Sequence, residues 1–359
     1  MGMVKTVPDN LAPGSDTANL SVLGYDPLKY YSGRSPFEAA SIGIPLELSD
    51  VTFRCNFVTL SAEEPYEEKI ILDHSADEIS TEEADQLIAT VNEHFKTEQM
   101  EFFTGFSYRH ILVWHNAPSD YKLTPPHDIL TRKIGDYLPK GKDSGILLTM
   151  MKSSYEFLKD HPVNLKRRER GLRPGNSIWL WGEGRKPDLT GFAEKYGLKG
   201  SVVSAVDLIK GLGVCAGMRT VEVEGATGNV HTNYIGKAKA ALQELASGQD
   251  FVYIHIEAPD ECGHRAELEN KVLSIEKIDK EVIGTILKGL EGQDFRIMVL
   301  PDHSTPLSVR THTKDPVPFV IYDSTKPKAG QAVFNEQSAS LTGLFVEKGY
   351  TLMDRFIYG

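Results

Sequence analysis

Two stretches decide how this chain folds: Phe251-Val-Tyr-Ile-His-Ile256 running into Ala258-Pro-Asp-Glu-Cys-Gly-His264, and Phe295-Arg-Ile-Met-Val-Leu300 running into Pro301-Asp-His-Ser304, with Thr311-His-Thr313 a few residues on. A short apolar run bounded by turn residues reads as a buried strand. An Asp or His on the loop leaving such a strand sits where open α/β sheets gather their chemistry. Asp260, His264, Asp302, His303 and His312 form a set of hard oxygen and imidazole ligands. That set suits Mn²⁺ or Zn²⁺, and Mg²⁺ less well, and argues against an iron–sulfur or structural zinc site. Two Asp/His groups on neighbouring strand ends point to two metals rather than one. A single Asp-His pair would read as a polar strand cap; the combination carries the metal reading.

Outward from these stretches the texture is that of an α/β protein. Ser177-Ile-Trp-Leu-Trp181, Ser201-Val-Val-Ser-Ala205 and Phe319-Val-Ile-Tyr322 are further short strands, and helical stretches separate most of them, the signature of a parallel sheet. Glu267 to Leu290 predicts one helix, with Leu268, Val272, Ile275, Ile278, Val282 and Ile286 along one stripe. Earlier in the chain, Val51 to Leu60 alternates like a half-buried strand and Tyr108 to His115 reads as another. Ser80-Thr-Glu-Glu83 opens a helix through Phe95, and Leu147 to Arg170 predicts a second, ending at Gly171. The expected organisation is an α/β domain of residues 1–45 and 172–359, with a mostly parallel sheet flanked by helices, interrupted by a smaller α+β domain at 46–171.

Composition narrows the function. A formal net charge of −11 argues against nucleic acid as the main partner. Three scattered cysteines, Cys55, Cys215 and Cys262, argue against a disulfide framework and for a reducing, cytoplasmic setting. No apolar run approaches membrane-spanning length. The Lys166-Arg-Arg-Glu-Arg170 cluster reads as a solvated helix end.

Ala12-Pro-Gly-Ser-Asp-Thr-Ala-Asn-Leu-Ser21 is the second informative stretch. Gly14 permits a tight turn, and a following helix N-terminus would aim N–H groups at an anion near Ser15. A serine there is either a metal-activated nucleophile or an N-cap. Together Pro13-Gly-Ser-Asp-Thr-Ala-Asn19, Leu23-Gly-Tyr-Asp-Pro27, Phe53-Arg-Cys-Asn-Phe57, Ile178-Trp-Leu-Trp-Gly182 and the two C-terminal metal stretches resemble the archaeal-type, cofactor-independent phosphoglycerate mutases of the alkaline phosphatase superfamily. The resemblance runs through essentially the whole chain. It implies an alkaline-phosphatase-like domain carrying an inserted substrate-capping domain, with the active site in the cleft between them. It makes Ser15 the nucleophile that becomes phosphoserine, places Asp260, His264 and His312 on one metal, and Asp302 and His303 with Ser15 on the other. Two divalent ions are implied, Mn²⁺ foremost with Zn²⁺, Co²⁺ or Mg²⁺ as alternatives, and no 2,3-bisphosphoglycerate. The partner would be a small phosphorylated acid, with neither nucleic acid nor membrane, and the protein a monomer or small homo-oligomer.

Substrate carboxylate and phosphate call for guanidinium donors, which lysine replaces poorly. Arg54, Arg109 and His127-Asp128 are the candidates within the insertion, each weighed against a surface ion pair, with Lys237 a weaker one. Asn19 is placed to contact the transferred phosphate. Trp179, Trp181 and His255 read as core packing, and Cys262 as a bystander between two ligands. The same fold and metals would also serve a homoserine kinase or a phosphatase, or a non-catalytic relative acting as a binding module; the intact ligand set speaks against the last. The opening Met1-Gly-Met-Val-Lys-Thr-Val-Pro8 resembles a point some tens of residues into the family pattern, after a strand and a Gly-Asp-Gly turn. The resemblance therefore implies a serine-side metal one anionic ligand short, and weak turnover.

Overall fold

The structure is a computed structural model that describes every residue of the chain except 119 and 329. Its strands, in chain order, are β1 (Gly2–Val4), β2 (Val51–Leu60), β3 (Ile71–Asp73), β4 (Met100–Phe106), β5 (Arg109–Trp114), β6 (Ser177–Arg185), β7 (Gly200–Val203), β8 (Arg219–Val221), β9 (Phe251–Ile254), β10 (Arg296–Val299), β11 (Val317–Asp323) and β12 (Phe345–Val346). The chain divides into two compact units, Met1–Tyr31 with Pro187–Gly359, and Ser32–Lys186. The sequence reading set the boundaries at 45/46 and 171/172. The division falls elsewhere because β6 pairs antiparallel with β2 and the helix Ser35–Ser41 packs on β2 and β6.

In the first unit β8, β7 and β9 form a parallel sheet in that order, and β10, β11, β1 and β12 form a second sheet. In the second sheet β11 runs antiparallel to both β10 and β1, while β1 and β12 are parallel. The α/β alternation is as expected, and the final strands add an antiparallel component that β11 brings by returning along β10. The segment Leu268–Gly289 is helical throughout, but a π-helical stretch, Ile278–Ile283, interrupts it. A π turn takes an extra residue, so the helix faces before and after it are rotated against each other. The expected single stripe is thereby split: Val282 and Ile286 are buried, whereas Leu268, Val272 and Ile275 are exposed. Among the described residues no helix is long and apolar enough to cross a membrane.

The second unit is a sheet of β3, β2, β5 and β4 with β6 on the other side of β2. β2 alternates as expected, yet all ten of its residues are buried. Phe53, Cys55 and Phe57 enter the main core with Leu87, Val91 and Leu147, while the opposite face of the sheet is covered by Ala39, Ile44 and Leu46 packing on Ile111 and Val113. Thr52, Arg54 and Asn56 therefore become buried polar groups that need partners. Ser80 caps the helix Thr81–Phe95 through Glu83 N, as the capping motif predicts. The expected 147–170 helix is instead two, Gly145–Leu158 and Pro162–Glu169, because Pro162 cannot continue the first and starts the second, capped by His161.

Candidate active site

Ser15 opens the helix Ser15–Val22 at its first position, and Gly14 occupies the N-cap. The turn is held from inside: Asp16 Oδ1 accepts from Thr17 N at 2.8 Å, Thr17 Oγ1 donates to Gly14 O at 3.1 Å, and Tyr31 donates to Asp16 Oδ2 at 2.8 Å. Ser15 is thus neither buried in the helix nor spent as a cap, and its Oγ lies 3.0 Å from His303 Nε2.

The chain leaving β9 enters the helix Ala258–Arg265, which carries Asp260 in its first turn and His264 in its last. Four residues apart, they share one face, with His264 Nε2 3.3 Å from Asp260 Oδ2. The chain leaving β10 reaches Asp302 and His303, then turns back through a bridge between Ser304 and Thr313. That bridge sets His312 beside His303, with ring centroids 4.0 Å apart. His312 Nε2 lies 3.3 Å from Asp260 Oδ1 and 3.0 Å from His264 Nε2. Ligand atoms of Asp260, His303 and His312 all fall within 4.8 Å of one another. Asp302 Oδ2 is 3.5 Å from His303 Nε2. The six residues implied by the resemblance thus form one continuous cluster, in which His303 touches both the Ser15–Asp302 side and the His312–Asp260 side. Asp9, the sole carboxylate preceding Ser15, pairs with Lys5 at 2.8 Å at the surface.

The electrostatics suit a cation. Burial alone would raise the Asp260 carboxyl, but hydrogen bonds involving His312 and Thr305 outweigh it and hold it below the usual range. Burial opposes the charge on His312 as well, and the Asp260 partner overcomes it and raises that imidazole. Burial lowers His303, against the pull of Asp302, which keeps its imidazole neutral and an acceptor or ligand. Asp302 is held well below the carboxylate range despite burial, by His303, by the nearby His255 and by a hydrogen bond from Asn19. Imidazole nitrogens and ionised carboxylates converging from three segments fit a divalent ion.

Several residues at this site were not singled out from sequence. Thr305 donates to Asp260 Oδ1 and Lys271 Nζ donates to Thr305 O at 2.8 Å. Thr6 donates to the Asp302 carbonyl. His255 is buried as expected, but its Nε2 lies 3.9 Å from Asp302 Oδ2. Tyr253, two residues earlier on the same face of β9, donates to Asn19 Oδ1. Polar residues at period two inside an apolar run were the available signal. Asn19 is fully buried and bonded to Asp302, and Lys237 is buried with Nζ donating to His255 O at 3.3 Å. Burial pushes the Lys237 ammonium down to about 8.

The second unit holds the other candidates. Arg54 and Trp181 are directly paired across β2 and β6, and the guanidinium lies 4.2 Å from the indole ring centre. Glu38 accepts from Arg54 Nε at 2.8 Å through one oxygen and from Arg34 Nε at 2.8 Å through the other. Gly182 has φ +61, and a Cβ there would meet Arg54 Cδ at 3.3 Å. Trp181 packs in the core as expected, yet also supports Arg54, while its Nε1 donates to Asn56 at 3.0 Å. Trp179 donates to Thr124 O and is core alone. His127 packs edge-on against Trp181 at 5.3 Å and His74 at 6.2 Å, with the exposed Asp128 3.6 Å from its Nε2. Arg109 lies over the rings of Tyr108 and Phe106.

A family model for 2,3-bisphosphoglycerate-independent phosphoglycerate mutase matches residues 1–164. The enzyme of that name from Methanosarcina mazei is 49% identical over 94% of this chain and 84% of its own length. A probable 2,3-bisphosphoglycerate-independent phosphoglycerate mutase from Geobacter sulfurreducens is 47% identical over 99% of this chain and 89% of its own. Among solved structures, a protein from Pyrococcus horikoshii superposes with a TM-score of 0.79 at 28% identity, covering 99% of this chain and 86% of that one. The cofactor-independent phosphoglycerate mutase of Thermoplasma acidophilum does so with a TM-score of 0.65 at 25% identity, covering 99% and 88%. By sequence along nearly its whole length, and by its alkaline-phosphatase-like α/β fold, this chain belongs to the 2,3-bisphosphoglycerate-independent phosphoglycerate mutase family.

Proposed function

We propose that Ser15 is the residue that carries the phosphoryl group as this enzyme interconverts 3-phosphoglycerate and 2-phosphoglycerate. Membership of the family makes the chain an isomerase, an intramolecular phosphotransferase with phosphoglycerate as substrate. The observation that carries the Ser15 assignment is its Oγ at 3.0 Å from His303 Nε2, inside the Asp/His cluster and at the first turn of a helix. Oγ attacks phosphorus in line with the departing oxygen; the P–O bond to the substrate breaks and glycerate leaves with a proton on that oxygen. The neighbouring glycerate hydroxyl then attacks phosphoserine, the P–Oγ bond breaks, and Ser15 recovers its proton. His303 Nε2, 3.0 Å from Ser15 Oγ, would serve with it as a ligand of one ion, and the proton Ser15 gives up on attack balances the one the departing glycerate oxygen takes up.

The family is generally metal-dependent, and the ligand set fits. Two divalent ions, Mn²⁺ foremost, would be held by Asp260, His264 and His312 and by Asp302, His303 and Ser15. Bound there, they supply the positive charge that lowers the Ser15 hydroxyl pKa and offsets charge on the phosphoryl oxygens. In the second unit, Arg54, held by Glu38 and Trp181, together with Arg109 and His127, offers donors for the substrate's anionic groups.

Incubating the protein with 3-phosphoglycerate and Mn²⁺, quenching in acid and mapping peptides tests the assignment. Phosphate is expected on the peptide containing Ser15, and Ser15→Ala should abolish interconversion while leaving the fold intact, since Ser15 does not cap its helix and the change removes a side-chain hydrogen bond to His303 worth about 1 kcal/mol. Full turnover by Ser15→Ala would overturn it.

A further inference from the structure

Asn19 sits one helical turn after Ser15, and its side chain is wholly occupied by protein. Nδ2 donates to the Ser15 carbonyl at 2.7 Å and to Asp302 Oδ2 at 2.7 Å, while Oδ1 accepts from the Tyr253 hydroxyl. A primary amide has two N–H donors, and both are used, so none remains for a phosphate oxygen. Rotating the amide by half a turn would set Oδ1 against a carboxylate and a carbonyl, two acceptors. The Tyr253 O–H on the other side fixes the same orientation. The residue is fully buried, so water cannot substitute for any of the three partners.

We infer that Asn19 and Tyr253 are positioning residues that lock the serine helix to Asp302, and that Asn19 is not a contact to the transferred phosphate. The three segments joined are the first turn after Gly14, strand β9 through Tyr253, and the loop after β10 through Asp302. Asp302 is fixed from other directions by His303 N, which donates to Oδ1 at 2.9 Å, and by Thr6, which donates to its carbonyl. Asn19 supplies the tie that runs from this carboxylate to Ser15 itself. A displacement of about 1 Å in a reacting group costs on the order of 10²-fold in rate, so the tie acts on kcat. This inference rests on Ser15 as the nucleophile.

The test measures kcat and KM for 3-phosphoglycerate, and acid-quenched phosphoserine, in Asn19→Ala, Tyr253→Phe and Ser15→Ala, with melting temperatures recorded on metal-free protein. Asn19→Ala should lose about 10²-fold in kcat, with KM within twofold of wild type. Tyr253→Phe, which removes a single hydrogen bond, should lose about fivefold in kcat and show the same unchanged KM. Phosphoserine formation should slow in parallel in both variants. A rise in KM for Asn19→Ala with Tyr253→Phe silent would mean that Asn19 binds phosphate, and would overturn the inference. If Asn19→Ala does not fold, Tyr253→Phe decides alone, by its kcat at unchanged KM. Turnover in Ser15→Ala would instead sink the nucleophile assignment, an outcome separate from either result at Asn19.

Discussion

Replacing Arg54 by Ala should destabilise the second unit strongly, by an amount the surrounding groups define. The Arg54 side chain is 11% exposed and Glu38 is 14% exposed, with Nε and Oε2 2.8 Å apart. Removing one member of a buried pair costs about 3–5 kcal/mol when the other charge is stranded. Glu38 is not stranded here, because Arg34 holds its other oxygen at 2.8 Å, so the cost falls below that range, to about 2–3 kcal/mol. Loss of the guanidinium from the Trp181 face adds about 0.5–1 kcal/mol. The expected total is about 3 kcal/mol, or a fall in Tm of roughly 6–12 °C for a unit of about 150 residues. All three tryptophans, Trp114, Trp179 and Trp181, lie in the Ser32–Lys186 unit, so intrinsic fluorescence during urea unfolding reports on that unit alone. A double-mutant cycle with Glu38→Gln should give a coupling of about 1–3 kcal/mol. Additive single and double variants, or an Arg54→Ala loss under about 1 kcal/mol, would show that the pair is solvated and does not hold the guanidinium in place.

Lys237 gives a pH signature of known sign. Its folded pKa is depressed to about 8, below the ordinary lysine value of about 10.4. Between those values the unfolded chain binds more protons, so stability rises with pH, by on the order of 1–2 kcal/mol between pH 7.5 and 9.5. The urea midpoint should follow that rise in wild type and not in Lys237→Met; parallel curves would refute it. Gly182→Ala forces a side chain into the left-handed region, at a cost of about 1–2 kcal/mol. It should also raise KM for 3-phosphoglycerate by displacing Arg54, and an unchanged KM would remove Arg54 from substrate binding.

The Asp/His cluster was legible because it depends on local grammar. Asp260 and His264 lie four apart on a helix after an apolar run, and Asp302-His303 follows another, so residue type and spacing suffice to pick out the residues that the fold gathers. The Gly14-Ser15 turn was legible for the same reason, as was the capped helix at Ser80. What surrounds these groups was not. Pairing β2 with β6 brought Arg54 onto Trp181 from more than a hundred residues away, and covering both faces of β2 turned an alternating strand into one buried throughout. The π turn at Ile278–Ile283 divided a stripe that a steady 3.6-residue period would have kept whole. Asn19 shows the limit most sharply. A buried amide one turn after Ser15 can serve a phosphate or serve its neighbours, and only the positions of Asp302 and Tyr253, brought from distant segments, leave it no donor to offer a ligand. Local spacing selects which chemistry a chain can carry. Which hydrogen bonds those groups spend on one another depends on non-local packing, since a buried polar group takes whatever partner the fold delivers.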